Sequence, residues 1–177
     1  MPDSFELPFP IDSISSHFGP RLINPETGEL IPLWGDQLAL SRGVWQEHDG
    51  ADFRQPGGTP IHCPADGVVS RVSDGSDSEG YAIYIQHGEH GAVMSVCAHL
   101  SGIPDLEEGQ RVTQGQIIGY VGSSGNSTGP HAHIETLVRG IPYNPLTVST
   151  KWEELYSSVE WVSTEEPQES VNASDNA

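Results

Sequence analysis

Two short runs of β-branched and aromatic residues, Tyr81-Ala82-Ile83-Tyr84-Ile85-Gln86-His87 and Ala92-Val93-Met94-Ser95-Val96-Cys97-Ala98, stand either side of Gly88-Glu89-His90-Gly91. Such side chains favour the pleated strand and glycine favours the turn, so the segment predicts a β-hairpin with a four-residue connection. Residues 67–72 and 116–121 read as further strands, and the polar stretch 73–80 as a loop. Short strands at close spacing with glycine punctuation predict a mainly β chain, an antiparallel sheet folded on itself. One helix is expected, short and C-terminal. Thr150-Lys151-Trp152-Glu153 has the form of a capping box, and Trp152, Leu155, Tyr156 and Val159 recur at helical spacing.

The chain of 177 residues has material for one domain with a single sizeable core. Seven Lys and Arg against 25 Asp and Glu give a net charge of −18, which argues against nucleic-acid binding and against anionic membrane surfaces, because both need clustered cations. Part of that charge lies in a tail, since residues 152–177 hold seven acids and no Lys or Arg. Residues 163–177 cannot bury enough apolar area to offset their ordering entropy and are expected to be disordered. The remaining acidity suits either simple solubility or adaptation to high salt. No apolar run is long enough for a membrane span, and residues 1–10 lack the basic and apolar regions of a secretory signal. Cys63 and Cys97 both fall in predicted strands, as buried thiols or as a disulfide. On an extended strand Cys97 would share a face with His99.

Histidine supplies the chemistry. His131 and His133 are two apart after a glycine-rich turn, so on a strand their imidazoles share a surface that can hold a metal. Upstream, His48 and Asp52 are four apart, but Gly50 between them and Pro56-Gly57-Gly58 after them argue against a helix and for a loop leading into a strand. A catalytic zinc usually takes three protein ligands of these types and keeps a fourth position for water. His48, Asp52 and one of the two later histidines make that count. His17, His62, His87 and His90 are expected as surface residues or hydrogen-bonded core residues. The loop 122–129 lacks the Lys of a phosphate-binding loop and leads into a strand, so its expected role is to deliver His131 and His133 with exposed backbone N–H groups beside them.

The run from Gly122 to Glu135, with Gly129-Pro130-His131-Ala132-His133, closely resembles the C-terminal signature of the M23 metallopeptidases, the lysostaphin-like or LytM-type peptidoglycan endopeptidases. Further elements come in that family's order: Ser16-His17-Phe18-Gly19-Pro20-Arg21, then His48-Asp49-Gly50-Ala51-Asp52-Phe53, Gly58-Thr59-Pro60-Ile61, Ala98-His99-Leu100 and Asn144-Pro145-Leu146. The resemblance implies a domain over residues 11–162, with 1–10 as an N-terminal extension, and a duplicated-hybrid-motif fold. It implies one zinc per chain, held by His48, Asp52 and His133, with His99 and His131 as the catalytic histidines. Arg21 and Asn24 border the cleft by the same pattern, and Asn24, Ser127 and Thr128 are candidate substrate-binding residues. Glu135, on the strand face of His133, is expected to support that ligand or to be structural. Two departures from the pattern stand out. The chain carries extra residues at 29–45, with Leu33, Trp34, Leu38, Leu40 and Trp45 suggesting a packed loop that lines or caps the cleft, and Cys97 replaces a common aromatic residue.

The implied function is zinc-dependent hydrolysis of peptide bonds in peptidoglycan cross-links or stems by a monomer acting in the periplasm or the outer cell wall. Without a signal peptide here, a leader has been removed or delivery is of the phage-lysin kind. Two other classes compete with it. A silent module of the same fold would activate a partner amidase or serve a phage tail, and a phosphocarrier would pair two histidines on a similar sheet without needing a His-x-x-x-Asp pair.

Overall fold

The computed structural model describes residues 4–27, 29–31, 42–88 and 91–153. Twelve strands among these residues are β1 (Ile14–Ser16), β2 (Arg21–Ile23), β3 (Val44–Gln46), β4 (Gly50–Phe53), β5 (Pro60–His62), β6 (Gly67–Asp74), β7 (Tyr81–His87), β8 (Val93–Ala98), β9 (Arg111–Val112), β10 (Ile117–Tyr120), β11 (Ala132–Val138) and β12 (Ile141–Tyr143). A single antiparallel sheet runs β1-β4-β11-β8-β7-β6-β9. β12 pairs with the second half of β11, beyond the stretch that pairs with β4. β5 pairs with β10 and β2 with β3 as separate ribbons. The expected hairpin is β7–β8, with Ile83 opposite Cys97 and His87 opposite Val93.

Alternation along the strands divides the sheet into two faces. Ala51, Phe53, Ile83, Ile85, Cys97, Ala132 and Ile134 point to one face, where they pack with Ile61, Leu100, Ile118 and Val121 from the β5–β10 ribbon and its surroundings. Each of these is almost fully buried. Burial of this kind contributes about 1.5–3 kcal/mol for each large aliphatic or aromatic side chain. Asp52, His133 and Glu135 necessarily point to the other face.

A smaller cluster of Phe5, Ala65, Val93, Val148 and Trp152 fastens both ends of the described chain. Phe5 stacks on Trp152 with ring centroids 5.3 Å apart, and Phe9 joins the main core, so residues 4–10 lie against the domain. A helix, α1, spans Pro145–Thr150, ahead of the capping-box signal, and Trp152 and Glu153, where that signal falls, are also helical. Asn144 caps it by accepting from the backbone N–H of Leu146, and Pro145 takes the first turn, where a missing N–H costs nothing. Thr150 closes this helix, its hydroxyl donating to the Leu146 and Thr147 carbonyls. Leu155, Tyr156, Val159 and the acidic tail lie outside the described residues, as do Leu33, Trp34, Leu38, Leu40 and His90.

Cys63 and Cys97 are free and buried. Cys97 faces the core, whereas His99 lies one residue past β8 and has a left-handed backbone, φ 58°, which turns it out of the strand's alternation. The expectation that the two share a face fails for that reason. His99 is fixed in this conformation by its own N–H on the Glu79 carbonyl, 2.9 Å, and by the Leu100 N–H on Tyr81, 2.9 Å. A non-glycine residue held there costs on the order of 1–3 kcal/mol, which these hydrogen bonds help to offset.

Candidate active site

The pairing of β4 with β11 places Asp52 directly opposite His133. His48 enters from the loop before β4, where its backbone exchanges hydrogen bonds with Gly19, N–H to carbonyl in both directions at 2.9 and 3.1 Å. Gly19 adopts φ 100°, a conformation that disfavours any side chain. On this frame three atoms converge: His48 Nε2 lies 3.1 Å from His133 Nδ1 and 3.2 Å from Asp52 Oδ1, and His133 Nδ1 lies 2.8 Å from Asp52 Oδ1.

The outer atoms of both rings fix what these inner atoms can be. His48 Nδ1 donates to the His17 carbonyl at 2.8 Å, so its Nε2 turns a lone pair inward. His133 Nε2 donates to Glu135 Oε1 at 2.9 Å, so its Nδ1 does the same once the ring is neutral. Two imidazole nitrogens and a carboxylate oxygen then face one another at hydrogen-bond distance, an arrangement that calls for a cation between them, whether a proton on His133 or a metal ion. Burial draws the pKa of His133 down, yet the hydrogen bonds of Asp52 and Glu135 outweigh it and hold the ring up at about 9. Burial likewise raises Asp52, but hydrogen bonds and charge from His133 and His48 hold it well below the usual carboxylate range. In both cases the cluster favours positive charge at its centre. Arg21 steadies the outer carboxylate oxygen, with Nη1 donating to Asp52 Oδ2 at 3.3 Å and to Ser16 Oγ at 3.0 Å, and Nη2 donating to Gln46 at 3.1 Å.

His99 and His131 stand beside this group with ring centroids 4.9 Å apart. His99 Nδ1 donates to the Ser124 carbonyl at 2.8 Å and His131 Nδ1 to the Gly129 carbonyl at 2.8 Å. Each ring thus directs its Nε2 away from the loop. Burial and the neighbouring His131 lower the pKa of His99, which keeps it neutral near pH 7. His131 Nε2 is 3.6 Å from Asp52 Oδ1.

All five expected residues line one cleft of about 620 Å³, together with Arg21, Glu29, Leu30, Arg54, Ser127 and Thr128. The start of the extra segment therefore forms a cleft wall, with Trp45 61% exposed on the adjoining ribbon. Asn24 is absent from the lining; its side chain accepts from the Glu26 N–H and shapes the turn between β2 and Glu29. Ser124 had no role assigned from the sequence, because nothing local marks the carbonyl that will orient a histidine 25 residues away. His87 is a hydrogen-bonded core residue, and His17 and His62 are exposed.

The model of peptidase family M23 matches residues 46–145, more than half of the chain. The chain belongs to this family. Among curated relatives, the peptidoglycan DD-endopeptidase ShyA of Vibrio cholerae is 38% identical over 141 residues, which are 78% of this chain and 28% of that protein. The DD-carboxypeptidase/endopeptidase Mpg of Neisseria meningitidis is 40% identical over 112 residues, 63% of this chain and 25% of that protein. The M23 chain thus spans between a quarter and a third of the length of these relatives. Among solved structures, a zinc-containing peptidase from Vibrio cholerae superposes with a TM-score of 0.63 at 29% identity, over 82% of this chain and 40% of the other. The catalytic domain of the prophage-encoded M23 protein EnpA from Enterococcus faecalis superposes with a TM-score of 0.59 at 30% identity, over 81% of this chain and 96% of the other.

Proposed function

We propose that this M23 domain is a zinc-dependent endopeptidase that hydrolyses peptide bonds in peptidoglycan cross-links or stems, with His48, Asp52 and His133 as ligands. The observation that carries the reading is the triangle of ligand atoms, with edges of 2.8, 3.1 and 3.2 Å. A tetrahedral zinc with bonds of about 2.0–2.1 Å spaces its ligand atoms about 3.3 Å apart, so the triangle needs only slight expansion to accept the ion. Ligand type agrees as well, since two neutral imidazoles and a carboxylate leave one position for water or substrate. Both imidazoles have the second hydrogen bond that fixes a ligating tautomer.

Zinc bound here supplies Lewis acidity, activating water and polarising the scissile carbonyl. The remaining roles fall to the two other histidines. His99, neutral and anchored through Nδ1, presents Nε2 as the general base that takes the water proton and later returns it to the leaving amine. His131, anchored through Nδ1 on the Gly129 carbonyl, turns its Nε2 toward the same pocket, 3.6 Å from Asp52 Oδ1, beside the place where the oxyanion develops. Arg21 and Ser16 hold Asp52 and His48 in place. Peptidoglycan as the substrate named for the relative ShyA supports action in the periplasm or cell wall, and no helix among the described residues is long and apolar enough to cross a membrane. The protein acts as a monomer with a tail, residues 163–177, dispensable for catalysis.

A silent module that activates an amidase would not require both auxiliary histidines with fixed tautomers. Elemental analysis of the purified protein and mass spectrometry of muropeptides released from sacculi test the reading. Close to one zinc per chain, with release abolished by phenanthroline and restored by zinc, is expected. Zinc-free protein, or release indifferent to the chelator, refutes it.

A further inference from the structure

The same strand alternation that gathers the zinc ligands carries Arg54 to the site. Asp52 and Arg54 are two apart, Arg54 follows the Phe53–Ala132 pair that ends the β4–β11 register, and both Arg54 and His131 line the cleft. The Arg54 backbone is fixed just beyond β4 by its N–H on the Ser13 carbonyl, 2.8 Å, and its exposed side chain lines the cleft. Two arginines line that cleft, and they differ. Arg21 is committed to Asp52, Ser16 and Gln46. Arg54 has no ion-pair or hydrogen-bond partner for its guanidinium among the described residues, although the chain has 25 acids and a net charge of −18. Retaining an unpaired guanidinium at the reaction site of so acidic a protein makes sense if a substrate anion supplies the partner.

The loop opposite adds donors. Ser127 spends its hydroxyl on the Gly129 carbonyl and on Ser123, but the N–H and hydroxyl of Thr128 have no partner among the described residues, and Thr128 lines the same cleft. The segment after Arg54 reaches this loop, since a Cβ on Gly57 would lie 3.8 Å from Pro130.

The geometry points to Arg54, aided by Thr128, as a carboxylate-binding subsite beside the scissile bond, which makes this domain selective for acidic peptide links over neutral ones. The inference rests on the peptidase reading and narrows its substrate. A link whose amine comes from a diaminopimelate-type centre carries a carboxylate on the carbon next to the scissile nitrogen. The interior of an oligoglycine bridge carries none. Arg suits this task because its planar fork meets a carboxylate with two parallel hydrogen bonds.

The test uses a synthetic pair of cross-linked peptides identical except that this carboxylate is free in one and a carboxamide in the other. Calorimetric binding is measured on zinc-loaded protein silenced by His99→Ala, with and without Arg54→Gln or Arg54→Lys, and hydrolysis by the unsubstituted protein is followed in parallel. The free carboxylate is expected to bind about tenfold more tightly than the carboxamide, the scale of a charge-assisted hydrogen bond at a partly exposed site. Arg54→Gln removes that preference without changing zinc content or carboxamide binding, and Arg54→Lys restores part of it. Equal binding of the two peptides, or a preference that survives Arg54→Gln, overturns the subsite. A binding preference that depends on Arg54, in a protein that hydrolyses neither peptide, supports the subsite and overturns the peptidase reading alone.

Discussion

The His133 imidazole lies over Gly50, so closely that a Cβ on residue 50 would come within 2.8 Å of the ring's Cε1 and 2.9 Å of its Nε2. The same Cβ would meet the Ile134 carbonyl oxygen at 2.5 Å, and neither that backbone nor a ring hydrogen-bonded to both Asp52 and Glu135 is a flexible end that can yield. Gly50→Ala is therefore expected to displace the ring or part β4 from β11. Zinc affinity should fall by about tenfold or more, the scale of losing ligand orientation, and the melting temperature should drop with it. Competition with a chromogenic chelator measures the first effect and calorimetry the second; an unchanged affinity would remove the steric argument.

Glu135 accepts from His133 Nε2 and so leaves Nδ1 as the nitrogen facing His48 and Asp52, where the proposed zinc would sit. Glu135→Ala should weaken zinc binding about 10–100-fold. Glu135→Gln keeps an acceptor oxygen at the same place and should recover much of that loss. Equal zinc affinity in all three proteins would show that the strand alone orients the ring.

Among the histidines, ligands and proton handlers should separate. His133→Ala and Asp52→Ala each remove a ligand and should lose zinc and activity together. His99→Ala leaves the three converging atoms in place and should keep zinc while losing a hundredfold or more in rate. His131→Ala should resemble it. Zinc lost from the His99 variant and kept in the His133 variant would overturn the assignment.

His87 is fully buried, donating and accepting between the Asp66 carbonyl at 3.0 Å and Ser95 Oγ at 2.8 Å, against Phe5. Burial lowers its pKa to about 4, from the ordinary 6.5. The unfolded chain therefore takes up a proton below pH 6.5 that the folded chain refuses until about pH 4. Stability from this residue is complete above pH 6.5 and falls by about 3 kcal/mol as the pH drops through that window. Urea unfolding of the parent and of His87→Gln at pH 7, 6, 5 and 4 measures it. The variant should lose less stability on acidification, and parallel curves would show that His87 does not contribute.

Strands β6, β7, β8 and β10 were legible in the sequence because β-branched spacing and glycine turns act over a few residues. The two-residue period left His131 and His133 both open as partners of His48 and Asp52, and motif order, through the family resemblance, singled out His133, the one that converges with them in the structure. Period alone also foretold that Glu135 would share that face. The tertiary structure decided what depends on distant register. Only the pairing of β4 with β11 sets Asp52 against His133. Only the packing of the 75–80 loop against Ser124 and the end of β8 gives His99 its left-handed turn, and this reversed the face expected from its spacing to Cys97. A helix also begins at Pro145, where Asn144 supplies its cap, while the capping-box signal falls where Trp152 and Glu153 are helical and Trp152 stacks on Phe5 in the second core. Local propensity is written in neighbouring residues; which carbonyl fixes which imidazole depends on burial summed over the whole sheet.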